Sequence, residues 1–199
     1  DRAALEVLDA VLSTGNNSRY YRALVDSGKA ASVSQVIDFS REAGMLVPFA
    51  AVAAGQDPEG VARAIQAEVE KVRASGVTAD EVAEAKNELL AGALRGRETA
   101  QGRAFELGEM LMSTGDAAAA DKRLAAIARV TAADVQRVAR RYLAPEARVE
   151  LRYAAGPDNP ASYANPAPMP RFVTVPPPTG APAVLKPEGE RQAPPAPAA

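Results

Sequence analysis

TADEVAEAKNELLAGALRGRETAQGRAFELGEMLMS, residues 78–113, decides how the rest of this chain is read. Its opening predicts a helix. Thr78 stands at the N-cap and Glu81 three residues on, so each side chain can satisfy the other's backbone N–H in a capping box. Val77 and Val82 bracket the cap as a hydrophobic staple. Val82, Ala85, Leu89 and Ala93 follow at helical spacing, with Glu84, Lys86 and Glu88 mostly on the other side. Gly92, Gly96 and Gly102 each weaken a helix by about 1 kcal/mol relative to Ala. A bend or break is therefore expected near Gly96–Thr99, with Ala104, Leu107 and Leu111 resuming the buried stripe. A helix of this length would span about 50 Å, so the other elements are expected to pack along it.

Upstream, Ala4, Leu5, Leu8, Val11 and Leu12 share one face of a helix over Arg2–Ser13, ended by Gly15-Asn16-Asn17. Ser18 can cap a short helix from Arg19 to Val25. Period two then replaces period 3.6. In Ala31–Ser40, Val33, Gln35, Ile37 and Phe39 alternate with Ser32, Ser34, Val36 and Asp38, which predicts a strand. Met45–Ala54 predicts a second, beyond a hairpin-like loop at Arg41–Gly44. Pro48 within it marks a strand start, a bulge or an edge. Asp57-Pro58 starts a helix with Val61, Ile65, Val69 and Val72 inward, and Gly76 ends it.

Downstream, Gly115-Asp116 caps a helix carrying Leu124 and Ile127. Val130–Val135 then nearly repeats residues 77–82, with Thr131 and Asp134 in the capping-box places and Val135, Val138, Ala139 and Tyr142 facing inward. Arg148–Tyr153 alternates strictly, which predicts a strand with Val149, Leu151 and Tyr153 inward. Thirteen of the sixteen prolines lie from Pro157 onward, so residues 156–199 read as a Pro/Ala-rich extended tail or linker beyond a domain at 1–155. Neighbouring strands followed by a block of helices predict an α+β fold, with helices packed on one face of a mainly antiparallel sheet. Three strands are few for so many helices, and further strands are expected upstream of residue 1.

The chain has no His and no Cys. That removes the usual zinc, copper and non-haem iron ligand sets and the Ser-His-Asp and Cys-His nucleophiles. A net charge of -2 gives no pull toward nucleic acid. No apolar run reaches the length of a transmembrane helix. Glu81, Glu84 and Glu88 share a helix face and could act as acid and base or hold a hard cation; a solvated face with local pairing to Lys86 is the plainer reading. Glu98, Glu106 and Glu109 near the bend are read the same way. Of Tyr20-Tyr21, one ring is expected in the core and the other half exposed. Arg137, Arg140 and Arg141 could bind an acidic partner, yet cations are favourable near a helix C-terminus in any case.

Three segments together carry a resemblance: GNNSRYYRALVDSGKAASVS (15–34), GVTADEVAEAKNELL (76–90) and VTAADVQRVARRYLAP (130–145). With RETAQGRAFELG (97–108) and STGD (113–116) in order between them, roughly residues 1–155 resemble the insulinase/pitrilysin family of zinc metallopeptidases, the inverzincins. The resemblance implies a LuxS/processing-peptidase-like domain of a clamshell built from repeated α+β units. In that family the active domain carries an inverted H-x-x-E-H zinc motif with a downstream Glu ligand, and a related inactive domain closes the chamber over an extended peptide. Without His, this chain resembles the inactive kind, entered after the family's first strands.

Many such partner domains read L-R-x-x-x-G-x-x-Y, whose Arg and Tyr contact substrate. Here Leu24 is followed by Val25 and the Tyr position falls at about Ser32. The resemblance is thus to the C-terminal half of bacterial two-part members, often periplasmic or membrane-associated. It implies no catalytic or metal residue in this segment, zinc in a partner half, and peptide contact through main-chain groups of the strand at Ala31, Val33 and Gln35. The tail would be a terminal extension or a linker to a further pair of domains. Two other readings stand beside it: an interaction domain in a catalytically dead relative, and a carboxylate enzyme using Glu81, Glu84 and Glu88.

Overall fold

The computed structural model describes residues 1–39 and 44–153. Its centre is the first helix rather than the long one. In α1 (Arg2–Ser13), Ala4, Val7, Leu8, Ala10, Val11 and Leu12 are all buried, and so is Glu6. Helices α3 (Ala79–Gly96), α5 (Ala119–Arg129) and α6 (Ala132–Tyr142) and the strand β1 (Ala30–Phe39) all pack against it. The expectation that the chain is arranged along residues 78–113 is thereby corrected. A short helix with apolar residues around most of its girth buries more than a long one with a single stripe.

The predicted break is present. Helix α3 stops at Gly96, and α4 (Ala100–Thr114) starts anew behind Thr99, whose hydroxyl accepts from the Gly102 N–H at 3.0 Å. The two ends approach so closely that a Cβ at Gly102 would lie 1.8 Å from the Gly96 carbonyl oxygen. Only glycine fits there. Along α3 the stripe fades from buried Val82 and Ala85 to half-buried Leu89 and Ala93. It does not resume in α4. Ala104, Leu107 and Leu111 are exposed, and Met110 is the α4 residue that is buried. Helix α4 packs on α5, on the flank away from that stripe.

Strand β1 pairs antiparallel with β2 (Gly44–Val52), in a register that sets Gln35 against Pro48, Val33 against Ala50 and Ile37 against Leu46. Among the described residues this is the whole sheet. Val33, Gln35, Ile37 and Phe39 are half-buried as the alternation predicts. The loop expected at Arg41–Gly44 falls mostly outside the described residues. The strand predicted at Arg148–Tyr153 is absent: the chain makes a 3-10 turn at Pro145–Ala147 and runs on without a strand beside it among the described residues, with Val149, Leu151 and Tyr153 exposed at 84%, 83% and 102%. Alternation supplies a two-faced ribbon, but a strand also needs a neighbour to share its ladder, and none of the described residues provides one.

Helix α2 (Pro58–Ser75) begins as read, with the Asp57 carboxylate accepting from the N–H groups of Glu59 and Gly60, and Gly76 ends it at φ 79°. Both capping boxes form, Thr78 with Glu81 and Thr131 with Asp134. Residues 19–25 are helical and loosen into a π turn at Tyr21–Val25. Tyr142 is a rim residue rather than an inward one, its hydroxyl donating to Asp1 Oδ2 at 2.8 Å. Residues 1–150 form one unit.

Candidate functional site

Of the three strand residues implicated by the resemblance, Ala31 is exposed, while Val33 and Gln35 are half-buried against the core side. The Gln35 side-chain amide donates to Asp9 Oδ1 on α1, and Val33 packs against the core. Their side chains are therefore committed inward. Their main chain is a different matter. Opposite Gln35, Pro48 has no N–H to donate, which suits a non-hydrogen-bonded pair, in which the N–H and C=O of both residues turn away from the partner strand. Alternation puts the backbone groups of Val33 and Ile37 on that same outer edge. Ala31 is the extra residue where the register shifts between Ala30 and Ser32. No strand among the described residues covers this edge.

Asp9, which the sequence reading did not single out, holds this strand to α1. It accepts from Gln35 and, at 3.3 Å, from Ser13 Oγ, and burial pushes its carboxyl above the usual range. Beside it in the core lies Tyr20, fully buried with its hydroxyl unpartnered among the described residues and its pKa raised by the same desolvation. Tyr21 is half-buried, as expected of the pair.

The three carboxylates of α3 do not act together. Glu81 is clamped by Arg19, whose Nε and Nη2 donate to its two oxygens at 2.8 Å each, and it also accepts from the Thr78 N–H at 2.8 Å. These bonds hold it at about 2, against an ordinary 4.5. Glu84 accepts from Asn17 at 2.8 Å, and Glu88 from Arg95 at 3.2 Å. Each is tied to a different cation or amide, and the expected local pairing with Lys86 does not occur. Near the break, Arg97 bridges Glu106 (2.7 Å) and Asp121 (2.8 Å), pinning α4 to α5. A catalytic zinc does not fit this donor set: the imidazole and thiolate ligands are missing from the sequence, and no three carboxylates converge among the described residues.

The arginines of α6 are structural. Arg137 and Arg141 reach Asp1 at 2.7 and 3.2 Å, and Arg140 donates to the carbonyls of Arg73 and Ala74 at the end of α2. Within α1, buried Glu6 receives Arg123 at 2.8 Å and Arg2 at 3.1 Å. Neither link was legible beforehand, because 117 residues separate Glu6 from Arg123 and 136 separate Asp1 from Arg137.

Residues 1–89 match a family model described as the Peptidase M16 inactive domain. The fold is that of a candidate zinc protease from Bordetella pertussis Tohama I, with a TM-score of 0.68 and 24% identity over 77% of this chain and 84% of that one. It is likewise that of the inactive peptidase domain of a candidate zinc protease from Bordetella parapertussis, with a TM-score of 0.69 and 24% identity over 76% and 82%. The periplasmic protease PqqL of Escherichia coli shares it at a TM-score of 0.57 and 19% identity, over 71% of this chain and 16% of the larger protein. Comparison with curated proteins finds no match.

Proposed function

We propose that this chain, whose residues 1–89 match the model of the Peptidase M16 inactive domain, is the non-catalytic half of a bacterial zinc endopeptidase. It packs against a zinc-bearing H-x-x-E-H half and helps enclose an extended peptide. The observation that carries the peptide role is the uncovered edge of β1, where the pairing of Gln35 with Pro48 suits outward backbone groups at Gln35 and its same-phase neighbours. An extended peptide adds to such an edge by main-chain hydrogen bonds, a mode tolerant of side-chain identity and suited to unfolded substrates. Val33 and Gln35 supply these groups, with Ala31 at the bulge beside them. Residues 1–155 are the peptidase-like domain and 156–199 the tail. A periplasmic location agrees with the compartment of PqqL.

The test has two arms. Incubated with zinc and an unfolded protein, the chain alone should leave it intact; cleavage that persists with a chelator present would overturn the non-catalytic assignment. Amide exchange in the presence of an extended peptide should slow at Val33 and Gln35. Unchanged exchange there at saturating peptide would remove the strand-addition role.

A further inference from the structure

The two rows of side chains that the β1–β2 hairpin turns away from the helices differ in kind. On β2 the outward positions are Met45, Val47, Phe49 and Ala51, and the inward ones between them are Leu46, Pro48 and Ala50. A half-solvated antiparallel strand ordinarily alternates apolar with polar, whereas a run apolar at every position marks a strand covered on both faces. Yet Met45 and Phe49 are 61% and 56% exposed. On β1 the outward row is Ser32, Ser34, Val36 and Asp38, of which Val36 is 51% exposed. The register sets Ser34 directly opposite Phe49 and Val36 opposite Val47. A low step of serine thus lies between the Phe49 ring and the outer edge of β1.

In strand addition the main chain supplies affinity, and selection falls to whatever meets the alternate side chains. A strand added to β1 runs about 5 Å beyond it and about 10 Å from β2. Its residues beside Ser34 and Val36 put their side chains on this same outward face. A large apolar side chain beside Ser34 leans over the serine and meets the Phe49 ring, where alanine falls short. Beside Val36, two residues along, an apolar side chain meets the valine directly. A helix or a second sheet laid across the hairpin would instead bury both serine hydroxyls along with the apolar row. We infer that the outward face of the hairpin is the side-chain subsite of the docked peptide, taking a large apolar residue over Ser34 against Phe49 and a second apolar residue, two positions away, beside Val36. This rests on the strand-addition reading of the β1 edge and adds to it a substrate class, extended segments with apolar residues at alternate positions.

The probes are three acetylated heptapeptide amides titrated against the full chain and read by amide exchange at Val33 and Gln35. They are Ser-Thr-Phe-Thr-Phe-Thr-Ser, its isomer Ser-Thr-Thr-Phe-Phe-Thr-Ser, and Ser-Thr-Ala-Thr-Ala-Thr-Ser. The alternating Phe peptide should protect these amides at about tenfold lower concentration than the alanine peptide or the isomer, which splits its two rings between opposite faces. Phe49→Ser should erase most of that preference and Val36→Ser part of it. Both side chains are more than half exposed, and circular dichroism confirms that each variant is folded. Equal protection by all three peptides, or a preference that survives Phe49→Ser, would overturn the inference and leave strand addition standing. Protection by none of them would remove both. A chain that sediments as a dimer while Phe49→Ser sediments as a monomer would also overturn it, because a second copy is then the occupant of this face.

Discussion

Glu81→Gln isolates the charge of one carboxylate without disturbing the helix start it serves. Glutamine at this position still accepts from the Thr78 N–H, so the capping box survives. What is lost is the charge-assisted pairing to Arg19, whose side chain is 13% exposed, and the longer contact to Arg22 at 3.7 Å. Glu81 titrates at about 2 in the folded chain, chiefly because of Arg19, against an ordinary 4.5. That difference corresponds to about 3 kcal/mol at most. Solvent at the rim of the pair reduces it to roughly 1–2 kcal/mol. The sign follows from the lowered folded-state value. The stabilisation is fully present above the unfolded pKa and is lost as pH falls from about 4.5 toward 2. Urea unfolding followed by circular dichroism should show Glu81→Gln weaker by roughly 1–2 kcal/mol at pH 7, with the gap closing near pH 2. A variant as stable as the parent at pH 7, or a gap that persists at pH 2, would refute the reasoning. Arg19→Met should show the same loss, and the double variant should add little to either.

Gly102→Ala forces its methyl into the Gly96 carbonyl and should cost about 1–3 kcal/mol in chemical unfolding. Thr131→Ala removes the hydroxyl that accepts from the Asp134 N–H at 3.2 Å and should cost about 1 kcal/mol, read as a lower urea midpoint at unchanged slope. Leu8→Ala, at the fully buried centre of α1, should cost about 2–5 kcal/mol by the same measurement. Asp9→Asn keeps an acceptor for Gln35 and Ser13 while removing a carboxyl whose pKa burial has raised. A raised folded-state value favours folding at low pH and is lost as pH rises, so this variant should be at least as stable as the parent at pH 7 and flatter between pH 4 and 7.

Much of the helical scaffold was legible because its signals are local. Capping boxes, the Asp57-Pro58 start, the glycine stops and the period-two strand are decided by residues within four positions of one another. The misreadings share a cause as well. Leu107 and Leu111 keep helical spacing, and Val149, Leu151 and Tyr153 keep strand spacing, but periodicity only nominates a face and cannot supply what covers it. The candidate site was partly legible: the alternation places Val33 and Gln35 on one face, and Pro48 signals an edge. That Pro48 stands opposite Gln35 required the register, and that Asp9 holds Gln35 required the packing of α1 on β1.

From residue types alone, this chain has no imidazole or thiolate with which to hold a catalytic zinc, and it has an α+β order of elements. Both follow from composition and short-range pattern, which need no partner to be read. The tertiary structure decided that α1 is the hub, that Glu81, Glu84 and Glu88 each go to a different partner, and that Lys86 goes to none of them. Those outcomes depend on which groups meet across tens of residues, and a pair's electrostatic preference exists only once folding has set its distance.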